Sequence, residues 1–246
     1  MPRNTQSRSR FFAYTVLLHS RYRRMAANSA TTPVSVSKSG AMSRVLDLVP
    51  KGYHRAVAGQ CPAHKVLALA RKFHLKYGIG CTPAQRLLRK RKKLANACLV
   101  LYWPGHGQAD ADPEAKVDWL LLVTEGIGTV NDEESLMDLR QGKSRLQWLG
   151  YELLRLPKRD GTTWTWRRPK AAMQDWHALL ESAFTFRKHH QIPEILTCLA
   201  RQPGFAGVRR QTQDLFQYAY QQGYRKPLPP IFTMHKVAQG ERIVVG

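Results

Sequence analysis

The sequence predicts an α+β fold, and three observations carry that reading. Apolar residues recur at helical spacing in two separated stretches, around residues 65–95 and 170–222. Between them lie short, dense apolar runs of strand length, closed by Pro-Gly, Glu-Gly and Asp-Gly pairs. The chain of 246 residues is 43% hydrophobic, enough to build a core and too much for a chain that never packs.

Taken in order, the first 46 residues hold no acid and are rich in Ser, Thr and Arg, which is the composition of a transit peptide or a basic arm. Residues 1–41 therefore read as a disordered basic leader or an over-long start, with Met25 and Met42 as alternative beginnings. The low-complexity stretch Ala26–Gly40 is expected to stay flexible, and a chain beginning at Met42 to unfold as cooperatively as the whole. Residues 42–246 then form a single α+β domain, with basic helices over 60–95, a sheet over 96–168, helices over 169–223 and an extended tail over 224–246.

Val66, Leu69, Ala70, Phe73 and Tyr77 share a helix face that Gly78 and Gly80 terminate. Thr82-Pro83 opens a second helix, hydroxyl cap first and proline in the first turn, carrying Ala84, Leu87, Leu88, Leu94 and Ala95. The pair predicts a basic helical hairpin. Cys98–Trp103, Val117–Thr124, Tyr151–Leu156 and Thr162–Arg168 predict a small antiparallel sheet of about four strands, the last two joined at Lys158-Arg159-Asp160-Gly161. Trp164 and Trp166 fall on one face of that hairpin and are expected to pack beneath the helix carrying Trp176. C-terminal helices follow over Ala172–Phe184, Ile192–Leu199 and Gly204–Gln222.

The formal net charge is +22, and its placement is informative. Residues 1–95 hold 20 Lys and Arg against the single acid Asp47, whereas residues 96–168 hold 9 against 11 acids. Concentrating cations in one third of the chain gives the field a direction, which attracts phosphate backbones. Arg89 to Lys93 are five consecutive cations that repel one another unless a polyanion, or the acidic loop 110–114, neutralises them. The candidate nucleic-acid contacts are Arg86, Arg89, Lys90, Arg91, Lys92 and Lys93, together with Arg167, Arg209 and Arg210. Gly204 and Gly207 are expected to let a helix start approach a phosphate backbone closely.

Other chemistries are less well supplied. Cys61, His64, His74 and Cys81 have ligand-type residues, but the two histidines sit about 15 Å apart on one helix at 1.5 Å per residue, too far for one zinc. His189-His190 are adjacent, so they do not point to one face as a nickase metal pair must. Asp118, Glu125 and Glu152 would be the acids of a metal-dependent nuclease, yet Glu152 is followed by Leu153, Leu154 and Arg155 rather than by the lysine such sites use. No catalytic residue, metal or cofactor is assigned. Four widely spaced cysteines suit a reducing compartment, and no apolar run approaches the roughly 20 residues of a membrane span.

The strings Leu99–Pro104 (LVLYWP), Asp118–Gly126 (DWLLLVTEG), Tyr151–Leu156 (YELLRL), Trp164–Arg167 (WTWR) and Gly204–Gln211 (GFAGVRRQ) resemble a group of uncharacterised accessory proteins of bacterial plasmids and integrative conjugative elements. The resemblance covers about residues 50–235 and implies a cytoplasmic bacterial protein working near mobile-element DNA. The expected function is nucleic-acid binding, of DNA rather than a membrane, in plasmid replication, transfer or regulation, with a protein partner in a mobile-element complex as a further expectation. The alternatives are a metal-dependent nuclease and a protein-interaction module for an acidic partner.

Overall fold

The computed structural model describes residues 30–141, 145–158, 161–233 and 241–245. The fold is α+β, with seven helices and two sheets among those residues. Nine strands form, where about four were expected. The larger sheet has six strands in the order β5-β2-β4-β3-β1-β9: Met137–Asp138, Arg55–Pro62, Lys116–Val123, Ala97–Tyr102, Thr31–Ser35 and Arg242–Val244. The smaller is antiparallel, β6-β7-β8, over Gln147–Trp148, Tyr151–Lys158 and Gly161–Arg167. Lys158 pairs with Gly161, so the hairpin forms where Asp-Gly predicted it, although Arg159 and Asp160 lie outside the described residues.

The large sheet is not purely antiparallel. β1 runs parallel to β3, with Val34 opposite Leu101, and antiparallel to β9, with Thr32 opposite Ile243. Residues 1–29 of the expected leader lie outside the described residues, but residues 30–41 do not behave as a flexible linker. Val34 and Thr32 are buried, the Thr32 hydroxyl donates to the Leu99 carbonyl at 3.3 Å, and Trp103 N–H donates to Ser35 O at 2.9 Å. The β-branched Thr and Val residues suit a pleated, buried position, which the small-residue composition concealed. Of the expected extended tail, residues 234–240 lie outside the described set and Arg242–Val244 pair in the large sheet as β9.

Sequence period explains how the sheet is covered. β3 and β4 are apolar on both faces, as strands buried on both sides are. Cys98, Val100, Leu120 and Leu122 point to one layer, and Ala97, Leu99, Leu101, Leu121 and Val123 to the other. On the second layer lies α2, Val66–Tyr77, through Val66, Ala70, Phe73 and Tyr77. On the first lies α1, Lys38–Leu48, capped by the Ser37 hydroxyl and burying Ala41, Met42, Val45 and Leu48. The small sheet packs on the far side of α1. Trp166 is fully buried there, and its indole N–H donates to the Met42 carbonyl at 3.0 Å. The tryptophans therefore pack on α1; Trp176 belongs to a separate cluster of C-terminal helices.

That cluster unites α5, Lys170–Thr185, α6, Ile192–Ala200, and α7, Ala206–Gln221. Arg168, only 2% exposed, ties it to the small sheet by donating to Gln202 Oε1, Thr212 Oγ1 and the carbonyls of Leu199 and Val208. Burial pulls this guanidinium down to about 10, so it stays charged at neutral pH while its hydrogens are shared among acceptors. No helix among the described residues is long and apolar enough to cross a membrane.

A chain beginning at Met42 loses β1, and with it the parallel partner of β3 and the antiparallel partner of β9. We expect such a chain to lose its cooperative thermal transition, reversing the expectation from composition. Circular dichroism melts of the two forms check this, and an unchanged midpoint would contradict it.

Candidate nucleic-acid interface

The basic helix α3, Pro83–Arg91, begins as its sequence prescribes. The Thr82 hydroxyl accepts from Gln85 N–H at 3.3 Å, and the Gln85 side chain accepts from Thr82 N–H at 2.7 Å, a reciprocal cap. It ends at Arg91, so Leu94 and Ala95 lie beyond it. α2 and α3 follow one another without packing along each other as a hairpin: α3 buries no residue, and Leu87 and Leu88 are 52% and 53% exposed.

Arginines hold α3 in place instead of leucines. Arg86 donates to the Ile79 carbonyl at 3.1 Å, and Arg89 donates twice to the Ala95 carbonyl, at 3.2 and 2.6 Å. The Asn96 amide donates to the Arg86 carbonyl at 3.1 Å. Arg89 thereby serves as a structural clamp.

These clamps leave α3 standing beside the sheet end where β2 and β3 begin and β4 ends. The gap is a cleft of about 640 Å³ lined by Lys51, Tyr53 and His54 before β2, Arg86, Leu87 and Lys90 of α3, Lys93, Leu94 and Asn96 before β3, and Thr124 to Gly126 after β4. Arg86, Leu87 and Lys90 follow the i, i+1, i+4 progression of one helical face, and Lys93 joins them from beyond the helix end. Of the cations expected from sequence, Arg86, Lys90 and Lys93 meet at the cleft. Arg91 and Lys92 are exposed beside it. Gly126, at φ +138°, shapes the cleft edge: a Cβ there would stand 2.6 Å from Ala95 N, so only glycine fits.

The charge of this face is largely uncompensated. Among the described residues, no carboxylate pairs with a cation of the run 86–93. Loop 110–114 does not serve: Glu114 meets His64 at 3.0 Å before the opposite end of β4, about 23 Å away at 3.3 Å per residue. The acid of the cleft, Glu125, is held by Arg140 at 2.6 Å, which also binds Asp138 at 2.9 Å. Those Arg140 hydrogen bonds hold the Asp138 carboxyl at about 2. Lys93 has φ +56°, a left-handed conformation that disfavours any side chain.

The remaining expected contacts lie elsewhere. Arg167 pairs with Glu152, as does Arg145 at 3.3 Å, so its charge is spent inside the small sheet. Arg209 and Arg210 lie in the first turns of α7, away from the cleft lining. Gly207 does permit a close approach, but to protein. A Cβ there would stand 2.5 Å from the Trp166 carbonyl, and Gly207 N–H donates to the Thr165 hydroxyl at 3.2 Å. The helix start is thus used by β8 and not offered to an anion.

The nuclease acids are not brought together. Asp118 accepts from Gln60 at 2.7 Å on the large sheet, Glu125 belongs to Arg140, and Glu152 lies in the other sheet. Among the described residues, no group of three or more His, Cys, Asp and Glu side chains is placed to hold a metal ion. His64 and His74 are engaged separately, by Glu114 and by Gly80 N–H.

Sequence reasoning missed Lys51, Tyr53, His54 and Asn96. The string Lys51-Gly-Tyr-His-Arg55 interleaves cations with aromatics, the one local signal that pointed here. Burial lowers His54 below its ordinary 6.5, with the Arg140 charge second and Asp138 and Glu125 opposing.

Two outcomes are expected. Lys93→Gly should stabilise the fold by up to about 1 kcal/mol, by relieving the left-handed backbone, while weakening polyanion binding; melts and binding isotherms on one variant check both. A bound polyanion favours protonated His54, so affinity should rise as pH falls below 6.5, whereas the unbound fold loses stability over the same range because its depressed imidazole takes up a proton less readily than the unfolded chain does. His54→Gln should reduce that pH dependence in both measurements.

Compared with protein-family models, curated proteins and solved structures, the chain matches none.

Proposed function

We propose that the protein binds nucleic acid by gripping phosphates at the cleft beside α3. The observation that carries this reading is the run of cations along one cleft wall, Arg86, Lys90 and Lys93, joined by Lys51 across the gap and left without a carboxylate of its own. Like charges held this close repel, and phosphate oxygens are the acceptors that relieve them while releasing counterions. Arg91 and Lys92, exposed at the rim, extend the grip along a strand. The resemblance of the strand strings to plasmid and conjugative-element proteins suggests the setting: a cytoplasmic accessory protein of a mobile element, acting on DNA in replication, transfer or regulation. An acidic protein docking on the same cations is the competing reading; it shares the charge requirement but lacks the regular phosphate spacing.

The test replaces Lys51, Lys90, Lys92 and Lys93 with Gln, leaving the Arg86 and Arg89 clamps untouched. Duplex binding should weaken and its logarithmic salt dependence should flatten by about 0.9 for each phosphate no longer neutralised, with the melting midpoint preserved. An unchanged salt slope in the folded variant would remove the phosphate role.

A further inference from the structure

The cleft has more in it than a row of cations. Its walls include Tyr53, Pro83, Leu87 and Leu94, and its volume of about 640 Å³ lies within the roughly 300–1,000 Å³ of small-ligand sites. A duplex backbone presents phosphates on a convex surface and has no use for an apolar recess behind them. A single unpaired nucleotide has an apolar base face, polar base edges and a phosphate, in an order that matches the recess and its rim.

Polar groups at the α3 side of the cleft are also left incomplete. Asn96 is 6% exposed, and the bond from Nδ2 to the Arg86 carbonyl, which only accepts, fixes which end of the amide is oxygen. Among the described residues the Oδ1 is then buried with no donor, and the Nε of Arg86 is buried with no acceptor. Buried groups of this kind are normally paired, and leaving them so is unfavourable. A nucleotide supplies both complements: base amino or ribose hydroxyl hydrogens for an acceptor, and phosphate oxygens for a guanidinium. Leu87, half exposed on the cleft face of α3, is covered by the base at the same moment.

We infer that the cleft is a nucleotide pocket, receiving one unpaired nucleoside phosphate with its base against the Tyr53–Leu87–Leu94 wall and its phosphate on Arg86, Lys90 and Lys93. The inference rests on the phosphate-gripping reading above and narrows it from nucleic acid in general to an unpaired residue. The same chemistry is offered by a free nucleotide and by a base turned out of a single strand.

Fluorescence anisotropy separates the possibilities with four labelled probes, a single-stranded 12-mer, an abasic strand of equal length, the corresponding duplex and adenosine 5′-monophosphate, and with unlabelled adenosine 5′-monophosphate and ribose 5-phosphate as competitors. The single strand should bind about tenfold more tightly than the abasic strand, the difference typical of seating one base, and more tightly than the duplex. Adenosine 5′-monophosphate should displace it at concentrations where ribose 5-phosphate does not. Leu87→Ser and Lys90→Gln, both at exposed positions, divide the effect: the first should bring single-strand affinity down to the abasic level and leave abasic binding unchanged, the second should weaken both. Equal binding of normal, abasic and duplex forms would overturn the pocket while leaving phosphate gripping intact. Binding of adenosine 5′-monophosphate without strand binding would uphold the pocket for free nucleotides and refute the nucleic-acid reading. Failure of every probe to bind would refute both.

Discussion

The arrangement depends on α1 being enclosed between two sheets, and the contact that fixes it there is the hydrogen bond from the Trp166 indole to the Met42 carbonyl. Trp166 is wholly removed from water, so its N–H needs a partner inside the protein. The carbonyl it finds is near the middle of a helix whose buried residues Ala41, Met42, Val45 and Leu48 join one cluster with Val100, Leu120 and Leu122 of the large sheet. The small sheet is therefore registered against the large one through a helix and not directly. α1 can occupy that layer because β1 precedes it at one side of the sheet and β2 follows on the far side of β3 and β4, which carries the connection across the face.

The same economy of polar contacts governs the basic helix. An amphipathic helix usually attaches by its apolar stripe, but α3 exposes Leu87 and Leu88 and attaches through guanidinium and amide bonds to backbone carbonyls. Arginine suits this because its planar fork spans two or more acceptors while its stem covers apolar surface. Lysines at 90, 92 and 93 have no such engagement among the described residues and carry the outward charge. A single run of cations is thus divided by chemistry: Arg89 holds the helix, Arg86 both holds it and lines the cleft, and Lys90 and Lys93 line the cleft without such a bond among the described residues. Gly52, Gly126 and the left-handed Lys93 are cleft residues with positive φ, where the backbone takes a conformation most side chains avoid.

Buried charge is treated differently in the rest of the chain. Among the described residues Arg168 meets no carboxylate, and it donates to neutral acceptors at the end of α6 and along α7, which links the small sheet to the helical cap. Glu152 instead receives Arg145 and Arg167 on the edge of the same sheet. Cations that look interchangeable in the sequence therefore serve as a buried hub, an ion-pair partner or an open surface charge. Only their surroundings distinguish them.

Local chemistry made part of this legible in advance. The start of α3 at Thr82-Pro83, the stop of α2 at Gly78, the two central strands and the Asp-Gly hairpin all follow from interactions within a few residues, which a sequence displays directly. The cation run at 89–93 was equally plain, because charge needs no fold to be counted. What remained hidden was set by distant pairing. β1 is strand because Leu99, Leu101 and Ile243, remote in sequence, form its neighbours, and nothing in Thr31–Ser35 alone separates it from a linker. Lys51, Tyr53, His54 and Asn96 join α3 only because β2, β3 and β4 end at the same edge of the sheet. The sequence by itself determined the elements with local start, stop and turn signals and the sign of the charge; the tertiary structure decided the remaining strands, which cations stay open and where they gather, because that depends on which strands, carbonyls and carboxylates the fold brings within reach.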